Sequence, residues 1–267
     1  MKQLKIVSLG LLFIIPLLFT TCKKGERVNI FSVEDDKKLG ADMDRYLEDS
    51  LGSKILNPAQ FPISYGRLEA IKQQILNSGH VRYKNDFAWQ MHLIREDSTL
   101  NAFATPGGYI YVYTGLIKFL DSEDHLAGVI GHEIAHSDRR HSTNQLTKVY
   151  GMQLLFDIIL GRNQGALSQV TGGLIALSFS REAESEADEY SVKYLCTDKQ
   201  SYEADGAAGF FEKLINLGHS GGVPPFLSTH PSPENRVEKI KEKAEKDGCN
   251  TTPLNPPTFQ QMKQELF

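Results

Sequence analysis

The sequence predicts an α+β fold that is mainly helical, with one small β-sheet. Three observations carry this. Apolar residues recur at helical spacing through much of 34–246, as at Leu39, Met43 and Leu47, or at Leu68, Ile71, Ile75 and Leu76. Strand character is confined to two runs. Phe87, Trp89, Met91 and Leu93 alternate within 86–94, and Tyr109-Ile110-Tyr111-Val112-Tyr113 is strongly β-prone after the turn Thr105-Pro106-Gly107-Gly108. Finally, Ser122 followed by Glu123 and Asp124 is a capping side chain with first-turn acids, so a helix should start there and run through His132 and His136 to Arg140 or beyond.

The remaining elements follow in order. Residues 57–65 read as a loop and 115–120 as a short helix. The apolar stretches 149–160 and 166–179 are too short to span a bilayer comfortably, so they read as buried helices or a hairpin. Helices are expected over 180–195 and 206–217, then a Gly/Pro-rich loop over 221–233. Lys239, Lys241 and Lys243 alternate with Glu238, Glu242 and Glu245 in a solvated helix over 234–246. Three prolines between 250 and 257 point to irregular chain.

The first residues are of another kind. Lys2 and Lys5 precede an apolar run, Ile6 to Phe19, with the pattern of an export signal. Phe19-Thr20-Thr21-Cys22 resembles the lipobox of bacterial lipoproteins, in which the cysteine carries the lipid; ordinary secretion or an uncleaved anchor are the alternatives. The division is a signal peptide at 1–21, a tether at 22–33, a folded domain at 34–248 and a C-terminal tail at 249–267. With Cys22 lipidated, Cys196 and Cys249 remain as a pair that an oxidising compartment would let bridge. A net charge of −4, from 29 basic and 33 acidic side chains, gives no electrostatic case for a nucleic-acid partner.

The chemistry centres on His132-Glu133-Ile134-Ala135-His136. Residues four apart in a helix differ by only about 40° in azimuth, so both imidazoles leave one face and can reach one ion. Glu133 can then reach a water at that ion without binding it, which is the mechanical content of H-E-x-x-H. Apolar Leu126, Val129, Ile130, Ile134 and Ala135 bury this helix, where polar groups need partners. A zinc site of this kind needs a third ligand. His141, five residues past His136, turns about 140° away on a continuing helix. The run 180–188 offers Glu182, Glu184 and Glu186. Glu184 and Asp188 share a helix face, so one carboxylate could bind zinc and the other orient a ligand histidine.

Four segments in this order resemble family forty-eight of the metallopeptidases, gluzincins that include CAAX prenyl endopeptidases, the HtpX membrane protease and periplasmic β-barrel-assembly-enhancing proteases. They are Asn101 to Val112, Gly131 to His136, Ser180 to Asp188, and Ser228 to Val237, within a resemblance covering 34–246. The resemblance implies a zincin-like domain whose sheet packs against the active-site helix, with one Zn2+ per chain. It implies Glu184 as third ligand beside His132 and His136, Asp188 behind a ligand, Glu133 as general base, and roles for His230 and Arg236 in the T-H-P-x-x-x-x-R segment. It also favours Tyr109, Ile110 and Tyr111 as a sheet edge that pairs with extended polypeptide substrate. Ser191 departs from the family's frequent glycine, and Cys196 from its usual lack of cysteine. The implied activity is a zinc endopeptidase acting on misfolded or misassembled envelope proteins, lipid-anchored on the periplasmic side, more at the outer than the inner membrane. The alternative is a zinc-containing chaperone-like module whose site is covered by its own chain.

Overall fold

Ser32 opens the first helix through a capping box with Asp35, accepting from its backbone N–H while the Asp35 carboxylate accepts from the Ser32 N–H. The computed structural model describes residues 29–162, 164–176, 178–197, 202–216, 225–231, 235–254 and 257–267; the expected signal segment and Cys22 lie outside these. In chain order the elements are α1 (Val33–Leu51), α2 (Pro62–Leu76), β1 (Gln90–Ile94), β2 (Ala102–Thr105), β3 (Tyr109–Tyr113), α3 (Thr114–Phe119), α4 (Glu123–Asp138), α5 (His141–Val149), α6 (Met152–Ile159), α7 (Gln164–Ala176), α8 (Arg181–Leu195), α9 (Gly206–Asn216), α10 (Pro225–Thr229), α11 (Arg236–Lys246) and α12 (Thr258–Leu266). The fold is mainly helical with a three-stranded sheet.

Helix α4 is the centre. Every residue of it except His125 is buried, as its lack of a polar face dictates. It packs on α8 and α9 through small residues. A Cβ on Gly128 would lie 2.0 Å from the Ala207 backbone nitrogen, so only glycine permits that approach. Ser191 fits against α4 by donating its hydroxyl to the Gly128 carbonyl at 2.8 Å. The family's usual glycine is thus replaced by a side chain that satisfies its own polar atom.

The strand order is β1-β3-β2, with β3 parallel to β1 (Met91 opposite Ile110) and antiparallel to β2 (Phe103 opposite Tyr111). One face, with Met91, Leu93, Ala104, Ile110 and Val112, joins the main core with α4. The other, with Phe103, Tyr109 and Tyr111, packs with Leu47 of α1. The expected edge strand is therefore corrected: β3 is central, both of its backbone sides are paired, and Tyr109, Ile110 and Tyr111 are buried. Strand β1 starts only at Gln90, after Trp89 takes a left-handed φ of 47°.

Helix α4 stops at Asp138, short of the expected end, because Arg140 adopts φ 58° and starts α5 in a new direction. The two apolar stretches form α6 and α7, which pack with Leu39 and Met43 of α1. They are not wholly buried: Met152, Phe156 and Leu160 are about half exposed. Among the described residues no helix is long and apolar enough to cross a membrane.

Beyond Gly248 the chain folds further. Phe259, Met262 and Leu266 of α12 are buried against the main core, and α12 packs on α2. The Glu265 carboxylate accepts from the Ile63 and Ser64 N–H groups at 3.0 and 2.7 Å, capping the start of α2 from 200 residues away in sequence. Cys196, at the end of α8, is bridged to Cys249, which follows α11.

Candidate metal centre

His132 and His136 leave one face of α4, and their Nε2 atoms lie 2.9 Å apart. Helix α8 crosses α4 and delivers Glu184, whose Oε2 is 3.5 Å from His132 Nε2 and whose Oε1 is 3.3 Å from His136 Nε2. Ser180 starts α8 by accepting the Ala183 N–H, which sets the azimuth of Glu184 and, one turn on, of Asp188. His230 follows α10, and its Nδ1 stands 3.3 Å from His132 Nε2 and 3.1 Å from Glu184 Oε1. Ligand atoms of these four side chains all lie within 4.8 Å of one another, and all four are buried.

The surroundings aim the donors. His132 Nδ1 is 2.9 Å from Asp188 Oδ1, and Arg236 donates to both Asp188 oxygens at 2.7 Å. With the proton of His132 held on Nδ1 by Asp188, its Nε2 lone pair faces the centre. His141, set aside as a ligand, stands behind His136 with Nδ1 to Nδ1 at 3.0 Å, and its Nε2 is 3.4 Å from Glu186. Phe179 stacks on His136 and Phe226 on His230, fixing both rings.

This donor set fits a metal ion. Tetrahedral ligands at about 2.0–2.1 Å from one zinc lie about 3.3 Å apart, and the separations just given, 2.9 to 3.5 Å, bracket that spacing. Two ring nitrogens and a carboxylate converging on one point suit a cation between them, which would add to the charge that Arg236 already supplies at 3.1 Å from Glu184 Oε2. Glu184 Oε2 is ion-paired with Arg236 but makes no hydrogen bond, and both Glu133 oxygens are buried without one among the described residues, His230 Nε2 standing 3.5 Å from Oε1. Burial alone would raise the Glu184 carboxyl, but the charge of His230 and the close approach of the His132 and His136 rings hold it well below the carboxylate range. Burial, with the repulsion of Glu184, pushes Glu133 up to about 7 against the pull of His230 and Arg236.

Comparison with known proteins agrees with this geometry. The model of Peptidase family M48 matches residues 62–244. The mitochondrial metalloendopeptidase OMA1 of Schizosaccharomyces pombe is 29% identical over 238 residues, 87% of this chain and 68% of that protein. The beta-barrel assembly-enhancing protease of Escherichia coli K12 is 29% identical over 167 residues, 57% of this chain and 34% of that protein. Metalloprotease YcaL of the same strain is 30% identical over 155 residues, 55% of this chain and 59% of that protein. The chain thus spans about two thirds of the first relative's length and less of the two bacterial ones. The chain belongs to Peptidase family M48.

Proposed function

We propose that this M48 peptidase is a zinc-dependent endopeptidase of the bacterial cell envelope, acting on misfolded or misassembled envelope proteins. The observation that carries the chemistry is the convergence of His132, His136 and Glu184 on one point, with the buried Glu133 carboxylate beside it. A zinc ion held by these three would polarise the scissile carbonyl and acidify an attacking water. Glu133 takes the water's proton and delivers it to the leaving amine, and the burial that raises its carboxyl makes it a stronger base for the first of these transfers. Asp188, clamped by Arg236, keeps His132 in the tautomer that binds metal. Since β3 is enclosed, an extended substrate would pair instead with β2, the edge strand that packs on α4.

Support for the envelope setting comes from the export pattern, from the lipobox-like Phe19-Thr20-Thr21-Cys22 and from the likeness to the beta-barrel assembly-enhancing protease. One observation favours a second state of the same site. His230 occupies the fourth corner of the ligand cluster, which supports a resting site covered by its own chain. Casein digestion by the purified protein, with and without chelator, tests the first reading: chelation should abolish cleavage, and Glu184→Ala should lose both zinc and activity. Unchanged zinc in Glu184→Ala would mean another side chain is the third ligand. His230→Ala separates cover from helper, since faster cleavage marks a cover and slower cleavage a group that stabilises the oxyanion.

A further inference from the structure

On the face of the sheet away from α4 lies a second cluster of metal-seeking side chains. Asp44 and Glu48 stand one turn apart on α1, and His92 reaches them from β1. Their ligand atoms all lie within 4.8 Å of one another. The His92 side chain is buried but for 11%, and Tyr111, its partner across β1 and β3, stacks on the ring at 4.7 Å. The Tyr111 hydroxyl donates to Asp44 Oδ1 and fixes that carboxylate.

His92 Nε2 is 2.9 Å from Asp44 Oδ1, an ion-pair distance, and this buried nitrogen makes no hydrogen bond among the described residues, so a cation shared by the two groups would serve both. A comparable approach of imidazole nitrogen to carboxylate without a hydrogen bond is found between His132 Nε2 and Glu184 Oε2, at 3.5 Å, in the first cluster. Glu48 is exposed and, with His92, lines a cavity of about 830 Å³ between α2 and β1, which gives an ion a path in and leaves room for water ligands. We propose that Asp44, Glu48 and His92 form a second divalent-cation site, of one imidazole nitrogen and two carboxylates, suited to zinc. Such an ion would pin α1 to β1, joining two elements 40 residues apart without touching the peptidase chemistry.

Zinc titration of the full-length, chelator-stripped protein tests this, with metal content read after gel filtration. Wild type should take up two zinc ions, His92→Ala one and Glu184→Ala one, while the double variant His92→Ala/Glu184→Ala takes none. Glu48→Gln, at an exposed position that leaves the core untouched, should lose the second equivalent while melting without zinc at the wild-type temperature. One equivalent in wild type that is lost in Glu184→Ala, or two equivalents retained in both His92→Ala and Glu48→Gln, overturns the second site. One equivalent in wild type that survives Glu184→Ala but not His92→Ala instead overturns the assignment of the catalytic ligands.

Discussion

The two ends of α4 both bury charge, and they treat it in opposite ways. At the N-terminal end Glu123 and Asp124 are fully buried, and each oxygen has a partner. Arg67 and Tyr202 donate to Glu123, Thr258 adds a hydrogen bond at 2.9 Å, and Asp124 accepts the Glu203 and Leu254 N–H groups at 3.0 and 3.1 Å. These acids also face the positive end of the helix dipole. Nine and ten residues on, Glu133 is equally buried, yet neither of its oxygens makes a hydrogen bond among the described residues, and His230 Nε2 approaches Oε1 only to 3.5 Å. A satisfied buried charge holds elements together; an unsatisfied one is held ready for something that arrives.

Removing the unpartnered charge should cost chemistry and no stability. Glu133→Gln is expected to lower casein cleavage by about 10²–10⁴-fold while its urea midpoint stays level or rises. Equal activity in the two proteins would remove Glu133 from the reaction. Removing the partnered charge should do the reverse. Glu123→Gln leaves Arg67 facing a neutral amide and is expected to cost about 3 kcal/mol in urea unfolding, with activity per folded molecule retained. A loss under about 1 kcal/mol would mean that solvent at Arg67 already screens the pair.

Two smaller tests bear on the same contrast. Replacing Cys196 and Cys249 together by serine should lower stability by about 2–4 kcal/mol, because the bridge closes a 53-residue separation. Metal affinity at the His132, His136 and Glu184 cluster should change little if α8 is held by α4 rather than by the bridge. The last test concerns pH. Burial, with Asp124 and Asp205 nearby, pushes Glu203 up to about 7 from the ordinary 4.5. Between those values the folded protein keeps a proton that the unfolded chain releases, so stability falls as pH rises through this window. Glu203→Gln should flatten that slope in urea titrations at a series of pH values; an unchanged slope would assign it to another group.

What could be read from the sequence was what local spacing encodes. The helix start at Ser122, the shared face of His132 and His136, and that of Glu184 and Asp188 follow from residues within a turn or two. Counting cysteines isolated the pair that bridges. Strand order was not legible, because β3 is made central by β1, which lies beyond a loop and pairs in parallel. The place of His141 was missed for a definite reason. Its azimuth was reckoned along one continuous helix, whereas the left-handed Arg140 resets the direction and returns the ring to His136. Helix α12 lay behind three prolines, and the Glu265 cap, like the Asp44–His92 approach, depends on pairs far apart in sequence.

The bridge between Cys196 and Cys249 has one more consequence. It makes residues 197–248 a covalent ring whose closure sits at the end of the helix bearing Glu184 and Asp188, with His230 and Arg236 inside the ring. A single backbone cut anywhere in that ring, including one the enzyme inflicts on itself, leaves both pieces attached. A nicked molecule would keep its apparent mass until a reductant is added, so the intactness of this peptidase can be judged only on a reducing gel.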